Sequence, residues 1–191
     1  MPDLPKLDPS KTALVLIDLQ QGILGTPVGP HSAADILNRA ATLAERFRKL
    51  SAPVVLVRVS FGPGFIDALR QPTDAQPRIS PPAGWDELSP ALGNDDRDIR
   101  ITKHQWGAFY GTELDLQLRR RGVETIVIGG ISTNFGVEST ARDAFERSYA
   151  LVFVEDAMSA MSAEAHSFAV TTIFPRLGRI RSTQAVLDAL S

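Results

Sequence analysis

The segment ETIVIGGISTNFGVESTARDAFERSYALVFVED, residues 124–156, alternates between two kinds of pattern. Two apolar runs, Glu124–Gly130 and Ala150–Asp156, flank the helix-like stretch Asn134–Ser148. Continuous apolar runs are typical of parallel strands that are covered on both faces. A strand, a helix and a second parallel strand normally form a right-handed crossover unit. The segment therefore predicts one βαβ unit of a parallel sheet.

The same alternation extends along the whole chain. Ser32 is a candidate N-cap for the first helix, and Gly122 a candidate stop for the second helix. We predict an α/β fold, with residues 1–191 as a single domain of three α/β/α layers around a mostly parallel sheet of about six strands. The other predicted strands are Thr12–Leu19, Pro53–Val59, Asp98–Lys103 and Arg179–Arg181, and the other helices are Ser32–Leu50, Gly111–Gly122, Ser162–Phe174 and Thr183–Leu190.

The segment Phe61–Arg97 interrupts this regularity. It holds six of the thirteen prolines and shows little periodicity, apart from a possible helical turn near Trp85–Leu88. Loops of this length are usually functional or lie at interfaces. We therefore expect part of this loop at a contact between copies of the chain, in a homo-oligomer.

Composition excludes several classes of function. The chain has 191 residues, a net charge of −2 and no cysteine, so it has neither a basic footprint for nucleic acid nor a thiol nucleophile. No apolar run is long enough to span a membrane, and the first residues, MPDLPKLDPSK, lack a signal-peptide core. We expect a cytoplasmic protein that acts on a small molecule and binds neither nucleic acid nor membrane.

Polar side chains follow three of the predicted strands. Asp18 ends the first strand, Lys103 ends the third, and the turn Ile131–Gly136 follows the fourth. Ligands of open parallel sheets bind beyond the carboxyl ends of the strands, so these groups are expected at one site. A nearby ammonium would lower the pKa of Asp18 and burial would raise it. A structural ion pair is the alternative interpretation.

Gly136 lies in the first turn of a predicted helix, where glycine costs roughly 0.5–1 kcal/mol relative to alanine. Free N–H groups at a helix start attract anions, and a glycine lets a ligand approach the backbone closely. Tight packing between helix and strand is an equally good explanation. The spacing of the glycines is that of neither a dinucleotide-binding fingerprint nor a P-loop.

Four stretches carry a family resemblance: LVLIDLQ, ITKHQWGAFYGTELDLQL, VIGGISTNFGVESTARDAF and YALVFVEDAMS. Together they resemble the isochorismatase-like hydrolases, which include nicotinamidases and N-carbamoyl-amide hydrolases. The family's Asp-Lys-Cys triad then corresponds to Asp18 and Lys103, with Gly136 in the place of the cysteine. The resemblance implies a Rossmann-like fold and a hydrolase without a thiol.

The resemblance also implies a chemistry. Isochorismatases proper likewise have glycine at this position and cleave a vinyl ether, so Asp18 would act as general acid/base with Lys103 as its partner. Ser132 stands where those enzymes have tyrosine, and Thr133 and Asn134 are closer to the amidase branch. Two alternatives stay open: hydrolysis of another small molecule by a water that Asp18 activates, and an inactive member that serves as a binding or assembly module.

No cofactor and no metal are expected. Nicotinamidases bind a metal through an aspartate and histidines after the second strand, but VSFGPGFID has no histidine there. The three histidines, His31, His104 and His166, have no ligand spacing along the sequence. The resemblance implies a cis peptide bond between Ile131 and Ser132, and we expect Gly136→Cys to be tolerated. The expected substrate-binding residues are Ile131, Ser132, Thr133, Asn134, Phe135, Phe61, Trp106 and Tyr110.

Overall fold

A computed structural model describes residues 4–75 and 81–190 of the chain. These residues contain a six-stranded sheet in which every neighbouring pair is parallel, in the order β3-β2-β1-β4-β5-β6. The predicted α/β fold with about six strands is confirmed. The strands are β1 (Thr12–Ile17), β2 (Val54–Val59), β3 (Ile99–Lys103), β4 (Thr125–Ile131), β5 (Ala150–Ser159) and β6 (Arg179–Arg181).

Helices cover both faces of the sheet. One face packs against α2 and α6, and the other against α3, α4 and the irregular helical segment 169–176. The α-helices are α1 (Gln21–Leu24), α2 (Ala33–Lys49), α3 (Leu114–Arg120), α4 (Glu138–Glu146), α5 (Ala163–Phe168) and α6 (Thr183–Ala189). None of the helices within the described ranges is long and apolar enough to cross a bilayer.

The helix α2 shows how sequence pattern becomes packing. The predicted N-cap Ser32 accepts a hydrogen bond from the backbone N–H of Asp35. Ile36, Leu43 and Phe47 recur at helical spacing and are fully buried against the sheet. Burial of each such side chain contributes about 1.5–3 kcal/mol, so this face fixes the helix on the sheet.

The central strands are β1 and β4, paired from Thr12–Thr125 to Ile17–Gly130. Gly130 has φ of +121°, and a Cβ at this residue would lie 2.1 Å from the carbonyl oxygen of Ile17. The double glycine that ends the fourth apolar run therefore lets the two strand ends approach each other. This close approach brings the turn after β4 next to the end of β1.

Two local predictions need correction. No helical turn forms at Trp85–Leu88: residues 83–86 make a simple turn, and Leu88 instead forms an antiparallel bridge with Gln20. The strand β5 runs three residues further than predicted, because a bulge opposite Ile128–Gly130 absorbs extra residues. Residues 76–80 of the proline-rich loop lie outside the described ranges.

Candidate active site

The sequence-predicted pair of Asp18 and Lys103 does meet at the carboxyl edge of the sheet. Lys103 Nζ donates hydrogen bonds to Asp18 Oδ2 at 2.8 Å and to the backbone oxygen of Gln105 at 3.0 Å. Both side chains are almost fully buried. Asp18 itself follows β1 in a left-handed conformation, with φ of +52°. Such a conformation is uncommon for a residue other than glycine and often marks functional sites.

Burial dominates the electrostatics of Asp18. Loss of solvation raises the pKa of this carboxyl to about 6, although the neighbouring Lys103 ammonium acts in the opposite direction. The second carboxylate oxygen, Oδ1, has no hydrogen-bond partner within residues 4–75 and 81–190. A buried oxygen without a partner is costly in a folded protein and calls for an explanation, such as a catalytic role or an unseen water.

Gly136 lies directly against this pair. A Cβ built on Gly136 would lie 3.1 Å from Asp18 Oδ2 and 2.9 Å from Ile17 Cγ2. The expected tolerance of cysteine at Gly136 stays a prediction: a Cβ here would meet a methyl group of Ile17, so the Ile17 side chain would have to shift to make room for it.

The turn from Ile131 to Val137 joins β4 to α4 as one wide π-helical turn, Thr133–Val137. The Ile131–Ser132 peptide bond is cis, as the family resemblance implied. The N–H groups of Phe135 and Val137 both donate to the carbonyl oxygen of Ser132, at 3.2 and 3.1 Å. The Ser132 hydroxyl donates to Asn134 Oδ1 at 2.8 Å, which ties the turn together.

Two residues of this turn cannot contact a substrate with their side chains. Ile131 is buried in the hydrophobic cluster on the α2 face, and Thr133 is fully buried. The Thr133 hydroxyl lies 2.9 Å from His166 Nδ1. The expectation that these two residues bind substrate therefore stays a prediction that concerns their backbone groups.

The aromatic residues that we expect to bind substrate have different surroundings. Phe61 lies 6.1 Å from Trp85 and 6.2 Å from His104, measured between ring centroids. Trp106 lies 4.9 Å from the ring of Phe135 and is 63% exposed. Tyr110 is also exposed. Sequence reasoning missed the contact with Trp85, because this residue lies in the irregular loop, and no periodicity indicated where its ring points.

Two of the three histidines come together with an acid, which their sequence spacing did not indicate. One ligand atom each from His31, Glu155 and His166 lies within 4.8 Å of the other two. The imidazole rings of His31 and His166 meet edge to face at 6.0 Å. The third histidine, His104, lies elsewhere, 2.6 Å from the carbonyl oxygen of Ser60.

A surface cleft of about 860 Å³ lies at the opposite edge of the sheet. It is lined by residues at the amino-terminal ends of strands, among them Val54 and Ile99, and by charged side chains such as Arg48 and Asp98. Arg48 and Asp98 already bond each other through two hydrogen bonds, at 3.0 and 2.7 Å. The groups with unusual chemistry lie at the other edge, around Asp18.

Comparison with known proteins places this geometry in a family. The family model described as "Isochorismatase domain" matches residues 12–185. The chain is 53% identical to the isochorismatase family protein YecD of Escherichia coli O157:H7, over 97% of this chain and 99% of YecD. It is 30% identical to the ureidoacrylate amidohydrolase RutB of Methylobacterium radiotolerans, over 96% of this chain and 81% of RutB.

A solved structure leads to the same assignment. The structure of an isochorismatase family protein from Burkholderia thailandensis superposes with a TM-score of 0.93 and 48% identity, over 98% of this chain and 99% of that one. The Asp18–Lys103 pair at the strand ends and the turn after β4 both lie within the matched domain. The chain therefore belongs to the isochorismatase family of hydrolases.

Proposed function

We propose that this protein is a cysteine-independent hydrolase of a small metabolite in which Asp18 transfers the proton. The observation that carries the proposal is the state of the Asp18 carboxyl. It is buried, its Oδ2 is held by Lys103, and its Oδ1 has no partner among the described residues. A carboxyl with a pKa of about 6 is available as an acid near neutral pH, where a solvated aspartate is fully ionised.

The favoured reaction is hydrolysis of a vinyl ether. Protonated Asp18 would donate its proton from Oδ1 to the terminal carbon of the enol ether, which leaves an oxocarbenium ion and an Asp18 carboxylate. Water would add to this cation and return a proton to the carboxylate, and the resulting hemiketal would collapse to a ketone and an alcohol. Lys103 would orient the carboxyl and stabilise its ionised form after the transfer.

Amide hydrolysis is the second candidate, and the RutB relatives favour it. A thiol adduct is excluded because the chain has no cysteine. Ionised Asp18 would instead take a proton from water, and backbone N–H groups of the turn around Ser132 and Gly136 would stabilise the oxyanion that forms. The two candidates need opposite protonation states of Asp18. A third possibility is a member without activity that binds a small molecule or serves in assembly.

A substrate panel separates these candidates. Purified protein would be incubated with isochorismate, ureidoacrylate and N-carbamoylsarcosine, and the loss of each compound followed by chromatography, with Asp18→Asn as the comparison. We expect consumption of isochorismate by the parent alone. Consumption of an amide instead would favour the second candidate. If the folded parent consumes none of the three, the vinyl-ether proposal fails and the binding role is favoured.

A further inference from the structure

We propose that His31, Glu155 and His166 form a binding site for a divalent transition metal of the zinc class, separate from the Asp18–Lys103 pair. His31 Nε2 lies 3.7 Å from Glu155 Oε2, and one ligand atom of His166 lies within 4.8 Å of both partners. Two ligands of a tetrahedral zinc ion are about 3.4 Å apart, given bonds of 2.0–2.2 Å. The pair of His31 and Glu155 is close to this spacing, and the ligand atom of His166 would need to approach by at most about 1.4 Å for the three groups to hold one ion.

The backbone around His31 fixes this residue against the end of β5. The N–H and carbonyl groups of Gly29 pair with those of Ala160, each at 2.9 Å. The Ser159 hydroxyl accepts from the N–H of His31 and donates to the carbonyl oxygen of His31, also at 2.9 Å. Hydrogen bonds of its backbone thus fix His31, while its imidazole faces Glu155 and His166.

A hydrogen bond to Thr133 orients the His166 ring. Its Nδ1 lies 2.9 Å from the Thr133 hydroxyl, so Nε2 is the nitrogen left for a metal. Histidine ligands in metal sites commonly have their other nitrogen hydrogen-bonded in this way, which fixes the ring.

Glu155 lies in the bulged part of β5, where the register with β4 shifts. Its neighbour Asp156 points elsewhere: Asp156 Oδ1 accepts from the N–H and hydroxyl of Thr183, and the Asp156 backbone oxygen accepts from Arg39. Arg39 also lies 3.7 Å from Asp156 Oδ2. The guanidinium of Arg39 is therefore engaged by Asp156, and Glu155 is left to face the two imidazoles.

The composition and accessibility of the site suit zinc. Two histidines and one carboxylate are a common set of three protein ligands, with water or another ligand in a fourth position. The side chains of His31 and Glu155 are 26% and 38% exposed, whereas His166 is buried. The ion would thus enter from the solvent side, and its fourth position would face solvent.

The site is also joined to the turn beside Asp18. Thr133, which contacts His166, is three residues from Gly136 on the same π-helical turn. A ligand that binds only the folded state raises its stability. We therefore expect an occupied site to raise the melting temperature of the whole domain and to protect the amides of residues 132–137 from hydrogen exchange.

The test uses the full chain, freed of metal by a chelator and dialysed. Zinc chloride would be titrated by calorimetry, and crystals soaked in zinc would be examined for anomalous density. We expect one ion per chain, with density between the three residues, and a rise in melting temperature. His31→Ala, Glu155→Gln and His166→Ala should each weaken binding at least tenfold. His104→Ala is the matched control and should bind zinc as the parent does.

The proposal is overturned if the parent binds no zinc, or if His31→Ala and Glu155→Gln bind it with unchanged affinity. It is also overturned if the anomalous peak lies at His104 or at surface carboxylates. His31 and Glu155 are partly exposed, so their variants keep the test decisive even if His166→Ala fails to fold. None of these readouts depends on activity, so failure of the hydrolase proposal would leave this result unaffected.

Discussion

Lys103 and Asp18 come from strands on opposite sides of β2, which contains neither residue, and their side chains meet. Their side chains leave β3 and the end of β1, which lie on the two sides of β2, and join through a hydrogen bond of 2.8 Å above it. The contact buries one cation and one acid at the carboxyl edge of the sheet. Breaking a buried pair normally costs more than the pair contributes, so such a pair is weak support for a purely stabilising role.

The pH dependence of turnover should show which form of Asp18 is active. Burial raises the pKa of Asp18 to about 6, so the carboxyl is mostly protonated below that pH and ionised above it. If Asp18 acts as a general acid, kcat/KM for a vinyl ether should therefore fall as the pH rises through about 6. The profile would be measured from pH 4.5 to 8.5 in buffers of constant ionic strength. A rate that increases through the same range would identify Asp18 as a base.

Much of the fold could be predicted from local pattern. The apolar runs predicted that Asp18 and Lys103 each lie at the end of a strand. The general rule for ligand sites in parallel sheets then placed both residues at one site. The Ser32 cap and the helix after it followed from spacing. These features depend on residues that are close in sequence, so one stretch of chain contains all the information that they need.

The remaining features depend on contacts between distant segments. His31 and His166 meet at Glu155 because a bulge lengthens β5 and because the backbone of His31 bonds to Ser159. Trp85 reaches Phe61 from a loop without periodicity. The crowding of Gly136 by Ile17 depends on the approach of β1 to the turn. None of these contacts leaves a signal in a single sequence.

Replacing Lys103 should move the pH profile. The ammonium lowers the pKa of Asp18, so Lys103→Met should raise this pKa and shift the falling limb of kcat/KM to higher pH. The maximal rate should also fall, because the carboxyl loses the partner that orients it. Lys11→Met is the control, since Lys11 is exposed and pairs with Glu124. A limb that stays in place would show that Lys103 does not control the ionisation of Asp18.

Gly136→Ala should destabilise the protein by about 1–3 kcal/mol, because its Cβ would come within 2.9 Å of a buried methyl group of Ile17. Gly25→Ala is a matched control: its φ is −77°, and its Cβ would meet nothing closer than 3.4 Å. Urea unfolding of both variants gives the difference directly. Equal free energies of unfolding for Gly136→Ala and the parent would contradict this prediction, because they would show that the Ile17 side chain can move aside without loss of stability.

The expected homo-oligomer stays a prediction, and the proline-rich loop indicates where to test it. Ile66 and Leu69 expose 79% and 64% of their surface, which is unusual for large apolar side chains placed so close together. We expect light scattering at micromolar concentration to show a dimer or larger species. Ile66→Asp with Leu69→Asp should weaken this assembly, and Leu116→Asp on α3 should not. A monomeric parent would refute the prediction.

The central claim is that Asp18 transfers the proton, and one comparison tests it most directly: kcat/KM for isochorismate of the parent and of Asp18→Asn. Asparagine keeps the size of the side chain but cannot donate a carboxyl proton, so we predict a loss of about 10²–10⁴-fold. Circular dichroism and urea unfolding must show that the variant is folded, and Asp95→Asn, at an exposed ion pair with Arg97, should keep full activity. A folded Asp18→Asn variant that retains the activity of the parent would contradict the account.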